Sequence, residues 1–251
     1  MGDHAADEHW HYSIYPFIVS FGCLFMFPIA FAYKFVYENP MMAIVTFGIG
    51  LVLNLIGVAG WVSETLVESE EKLAPGAMPA FIVAEAFIFV GFFAAYWVTR
   101  LSYGSDNWPP PGTPEAMPVM IPLIMTVILV SSSFTYHHAE ALLEKGNRGG
   151  FITWVLITMV LGVVFFGCTA YEWKHLIHEG FVVSTNLYSG SFFSITGFHA
   201  SHVLVGLGMM ACIVIPALKG NVNHSMVKST GLYWHFVDIV WFFVISQVYF
   251  W

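Results

Sequence analysis

The sequence predicts an all-α, polytopic membrane protein with seven transmembrane helices. Three observations predict it. Of 251 residues, 58% are hydrophobic and only 10% charged, against about 25% charged in a soluble domain. The 24 Phe, 11 Tyr and 9 Trp carry more apolar surface than a soluble globule of this size can hide beneath a polar coat. Apolar runs long enough to cross the hydrocarbon core, which takes roughly 20 helical residues, recur along the chain. An open strand or irregular span would leave backbone groups unpaired in lipid, so the runs are read as helices.

The first segment runs over about Tyr15–Val36 and ends before the break at Asn39-Pro40. The second covers about Met41–Val62, the third Met78–Leu101 and the fourth Met117–Leu143. The fifth covers about Phe151–Trp173, the sixth Tyr188–Leu218 and the seventh Leu232–Trp251. Several exceed the bilayer's need, which predicts tilt or protrusion. Glu64, Glu68, Glu70 and Glu71 follow the second segment and extend it into water. Pro109-Pro110-Pro111-Gly112 forms a stiff turn that cannot be helical. The whole reads as a single membrane domain: a tail over 1–14, two segments over 15–62 and five over 78–251.

Charge and cysteine content exclude further classes. A formal net charge of -8 argues against a nucleic-acid partner. Cys23, Cys168 and Cys212 each lie in an apolar run without a CxxC pairing, which fits packing. The acidic, His-rich first fourteen residues are the opposite of a basic signal-peptide head. With seven spans, Lys72, Lys145, Arg148, Lys219 and Lys228 fall on the N-terminal side, and Lys34, Arg100 and Lys174 on the other. That excess places the N-terminus in the cytoplasm, or in the matrix of a mitochondrion.

Ionisable groups at membrane depth cost several kcal/mol unless paired or hydrated. Glu85 lies about two turns into the third segment with no charge within four residues. It is a proton-exchanging carboxyl or a neutral anchor at a helix interface. His199 and His202 are three apart on the sixth segment, amid Gly and Ser residues that permit close helix approach. His235 and Asp238 are spaced alike on the seventh: a relay, a metal's outer shell, or a self-satisfied pair. His137-His138 with Glu140, and Glu172 with His175 and His178, read as interfacial.

Two other classes share this inventory. An intramembrane metal enzyme could draw on Glu85, His199, His202, His235 and Asp238, but HExxH, paired ExxH and GxSxG are all missing. A proton-coupled transporter would favour an internal duplication and a pair of broken helices, and neither is evident. Composition and spacing alone end at a seven-helix membrane protein with a few buried polar pairs.

Longer strings carry more. Gly190-Ser-Phe-Phe-Ser-Ile-Thr-Gly-Phe-His-Ala-Ser-His-Val-Leu-Val-Gly206 resembles the signature of subunit III of haem–copper cytochrome c oxidases. Tyr233-Trp-His-Phe-Val-Asp-Ile-Val-Trp241 resembles that family's last helix, and Glu85-Ala-Phe-Ile-Phe-Val-Gly-Phe-Phe93 its third. Trp108-Pro-Pro-Pro-Gly112 and His137-His138 stand between them in the family's order. Two positions depart: Ala200 replaces a usual Gly, and Trp61-Val62-Ser63-Glu64 stands where the family often has an Arg.

The resemblance implies a seven-helix subunit packed beside catalytic subunit I, in a complex that pumps protons and reduces O2 with electrons from cytochrome c. Haem a, haem a3 and copper then belong to partner subunits I and II, and this chain holds none. It also implies a phospholipid-filled cleft between the first two helices and the other five, in a bacterial or mitochondrial inner membrane. Trp61, Lys72 and the His residues at helix ends are its candidate lipid contacts. A quinol-oxidase version typically has five spans, so seven favour the cytochrome c type; membership of a respiratory supercomplex stays open. His4, Asp7, Glu8, His9 and His11 are either a solvated tail or a proton-collecting antenna for subunit I.

Overall fold

A computed structural model describes residues 13–67, 77–114 and 119–250. Among these residues every regular element is helical. Six helices are long and apolar enough to cross a membrane, which makes the chain a multi-pass membrane protein. The contacts divide it into two compact units, Met1–Lys72 and Leu73–Trp251.

Unit 1 holds α1 (Tyr15–Leu24), a π-helical turn (Phe25–Ile29), α2 (Ala30–Phe35) and α3 (Pro40–Val67). The first expected segment is therefore helical but broken into three pieces. Pro28 sits inside the π-helical turn, where its ring denies the backbone a donor and crowds the preceding turn. α3 begins where the sequence turns: Asn39 Oδ1 accepts the Met42 amide at 3.1 Å, and Pro40 occupies the first turn, where no donor is needed. α3 runs on through Glu64 to Val67, past the apolar stretch.

Gly50, Gly57 and Gly60 of α3 face its neighbour. A Cβ at Gly50 would lie 2.6 Å from the Gly22 carbonyl oxygen and from the Met26 amide nitrogen. One at Gly57 would meet Val19 Cγ2 at 2.7 Å. These positions let two backbones approach closely. Gly48 meets open space. Among the described residues a thiol contact also joins the two stretches, Cys23 Sγ to Asn54 Oδ1 at 3.5 Å.

Unit 2 holds α4 (Ala77–Tyr103), α5 (Met120–Glu144), α6 (Arg148–His178), α7 (Leu187–Leu218), α8 (His224–Val244) and a π-helical turn (Ile245–Tyr249). Asparagines start three of them. Asn147 Oδ1 accepts from Gly150 N at 2.9 Å, Asn186 Oδ1 from Ser189 N at 2.7 Å and Asn223 Oδ1 from Met226 N at 2.9 Å. Each cap pairs an amide that the first turn would otherwise leave bare. The last cap corrects an expected boundary: α8 begins at His224, not near Leu232, because Asn223 nucleates a polar first turn ahead of the apolar run. The core is aromatic, with Tyr96, Tyr136, Phe165, Phe192 and Trp234 fully buried.

Candidate functional site

Several polar groups of unit 2 are bonded across helices, in separate clusters. Glu85 on α4 meets His202 on α7, with Oε2 3.1 Å from Nε2. Both side chains are largely buried, at 17% and 8% exposure. His202 Nδ1 lies 2.8 Å from the Phe198 carbonyl oxygen. A carbonyl only accepts, so Nδ1 carries the proton and Nε2 faces the carboxyl. The ring is walled by Phe89 at 5.0 Å and Phe198 at 4.6 Å. The carboxyl that stood alone in the sequence is thus matched from 117 positions away.

His199 parts company with His202. Three residues turn a helix through about 300°, so the two rings leave α7 about 60° apart. His199 is 1% exposed and sits among rings, 5.2 Å from Trp241 on α8 and 5.7 Å from Phe165 on α6. Among the described residues neither of its nitrogens has a hydrogen-bond partner.

His235 and Asp238 converge on Ser133 of α5. His235 Nδ1 is 2.8 Å from Ser133 Oγ, and that hydroxyl donates to Asp238 Oδ2. A serine has one proton to give. With it on Asp238, His235 must donate through Nδ1. In place of a pair satisfied within its own helix, both side chains bond to α5. The reason is the helix seam: along α5 and α8, Tyr136 Oη donates to the Val227 carbonyl at 2.9 Å, and Trp234 Nε1 to Ser132 Oγ at 3.0 Å. Trp241 Nε1 donates to Thr126 Oγ1 at 2.9 Å. The run Ser131-Ser132-Ser133 in an apolar helix was the available signal for this seam.

The sequence places Glu172 at an interface with loops, lipid headgroups or partner subunits. It is instead 1% exposed, and Tyr249 Oη donates to its Oε2 at 2.8 Å. Trp61 lies on α3 of unit 1 and is 46% exposed. His4, Asp7, Glu8, His9, His11 and Lys72 lie outside the described residues.

Among the described residues no group of three or more His, Cys, Asp and Glu side chains is placed to hold a metal ion. Glu85, Asp238 and Glu172 instead each reach a different neighbouring element. Such pairs fix the register of helices, because an unpaired polar group in the interior costs about 1–3 kcal/mol.

Known proteins give the pattern a context. The sequence profile of a family described as cytochrome c oxidase subunit III matches residues 9–251. A cytochrome c oxidase subunit 3 from Mycosarcoma maydis is 30% identical over 256 residues, covering 95% of this chain and 92% of the relative. One from a Synechocystis species is 37% identical over 173 residues, covering 67% and 72%. One from Tachyglossus aculeatus aculeatus is 30% identical, covering 86% of each chain.

Proposed function

The chain belongs to the cytochrome c oxidase subunit III family, and from that premise we propose that it is the non-catalytic third subunit of an aa3-type cytochrome c oxidase. The complex is an oxidoreductase that reduces O2 to water and pumps protons. Haem a, haem a3 and copper reside in partner subunits I and II. This chain packs mainly against subunit I and supports its stability, its lipid environment and its proton uptake. It crosses a bacterial or mitochondrial inner membrane seven times, as a single membrane domain with its N-terminus on the cytoplasmic or matrix side. The broken helical stretch from Tyr15 to Phe35 supplies the seventh crossing. Phospholipid fills a cleft between the first two spans and the other five, and the tail with His4, Asp7, Glu8, His9 and His11 collects protons.

One observation supports the non-catalytic reading: the carboxyls of unit 2 at membrane depth are each bonded to a different neighbouring helix, at separate points. A redox or hydrolytic centre needs several ligands converging on one point. Here Glu85 is matched to His202, Ser133 to His235 and Asp238, and Glu172 to Tyr249.

The test is purification of the oxidase with and without this chain. The reading expects unchanged haem and copper content per subunit I in its absence, and no transition metal on the isolated chain. Stoichiometric haem or copper on the isolated chain would overturn it. A CxxxC copper motif in the accompanying subunit II identifies cytochrome c rather than quinol as donor.

A further inference from the structure

The π-helical turn Ile245–Tyr249 is bonded to three other helices at once. Tyr96 Oη on α4 donates to the Gln247 carbonyl at 2.7 Å. Trp97 Nε1, also on α4, donates to Gln247 Oε1 at 2.9 Å. Tyr188 Oη on α7 donates to the Val248 carbonyl at 2.8 Å. Tyr249 Oη donates in turn to Glu172 on α6. The last carbonyls of a helix have no partner within it. Here two of them are capped by tyrosines that lie 151 and 60 positions away in the chain.

The same stretches of α4 and α7 wall a cavity of about 880 Å³. Phe92, Ala95 and Thr99 line it from α4, and Gly190, Ser191 and Ser194 from α7. Tyr96 and Trp97 are interleaved with the α4 lining residues, and Tyr188 precedes the α7 ones by two positions. Pro110, Pro111 and the loop ahead of α7 complete the wall, and what holds Tyr96, Trp97 and Tyr188 in place holds its two helical sides.

We propose that Ile245–Tyr249 is a conformational latch: seated, it ties α4 to α7 through Gln247 and Val248 and holds the cavity between them at its present width. Release breaks three hydrogen bonds to α4 and α7 together. The capped carbonyls lose their partners at the same moment, so seating and release are a concerted two-state event. The ends of α4 and α7 then separate and the cavity opens.

The test uses the intact oxidase with a reporter cysteine, Thr99→Cys in the cavity wall or Thr153→Cys on the exposed face of α6, labelled by a water-soluble maleimide. Labelling is read at each site by mass spectrometry, which separates the native thiols. Tyr96→Phe with Tyr188→Phe keeps both rings and removes both caps. It should raise the labelling rate at position 99 at least threefold and leave position 153 unchanged. Equal rates at position 99 in the parent and the double variant would overturn the latch, as would an equal rise at both positions. Should the double variant be lost from the complex, Gln247→Leu removes the Trp97 bond alone. It must still raise the rate at position 99, and no rise would overturn the proposal.

Discussion

The two units hold their helices together by opposite means. Unit 1 uses missing side chains: Gly50 and Gly57 bring α3 against α1 so closely that a single methyl would meet Gly22, Met26 or Val19. Unit 2 uses side chains that reach across, with Ser133 between His235 and Asp238, Glu85 on His202, and Trp234 and Trp241 on α5 hydroxyls. Lipid is as apolar as Leu, so burial alone does not choose a neighbour for a membrane helix. Close backbone contact and hydrogen bonds do choose. A two-stretch hairpin joined by a short turn needs only the first. A five-helix bundle with many alternative pairings needs the second, because each polar pair is satisfied in one register only.

The largest break in this comparison should come from Trp234→Ala. Trp234 is fully buried, packs under Gly206 and donates to Ser132. Its loss should cost about 3–5 kcal/mol. Hydrogen exchange should rise along α5, α7 and α8 and stay unchanged in α3. Next, Ser133→Ala strands the buried Asp238 and the half-buried His235 and should cost about 1–3 kcal/mol, read as release of the chain from the oxidase at lower temperature or detergent. Ser133→Thr keeps the hydroxyl and should recover most of that loss.

Unit 1 should respond to the reverse change. Gly50→Ala pushes a methyl into backbone atoms and should cost about 1–3 kcal/mol, seen as faster exchange in α1 and α3 alone. Gly48→Ala, which meets open space, should stay within about 0.5 kcal/mol of the parent. The smallest effect should be Cys23→Ala, which removes a long thiol contact; thermal release of the subunit should be unchanged within about 0.5 kcal/mol.

The legibility of these features in the sequence follows the same division. Apolar length gave every long helix, and asparagine caps account for where α3, α6, α7 and α8 start. Glu85, His199, His202, His235 and Asp238 stood out because ionisable groups are rare at membrane depth. Their partners were harder to assign: the run Ser131-Ser132-Ser133 marks a polar stretch of α5, but Ser133 is 105 positions from Asp238 and nothing in the sequence joins the two. Glu172 was misjudged for a related reason. It lies near a helix end, and only the return of Tyr249 from the far end of α8 buries it. The split of the first segment at Pro28 was visible in the residue itself but not in the hydropathy, which runs unbroken across it. Sequence pattern exposes what a residue costs; which residue offsets that cost is set by tertiary contact.

The central claim is that the buried polar pairs of unit 2 order helices and do not conduct the reaction's protons. Glu85→Gln with Asp238→Asn tests it, because both changes keep shape and hydrogen-bonding capacity while removing the carboxyls. Steady-state O2 consumption per haem should be measured in oxidase that still contains this chain in full stoichiometry. The account predicts turnover within tenfold of the parent, a barrier change below about 1.4 kcal/mol. A larger loss with the subunit retained would contradict it and make these carboxyls required proton carriers.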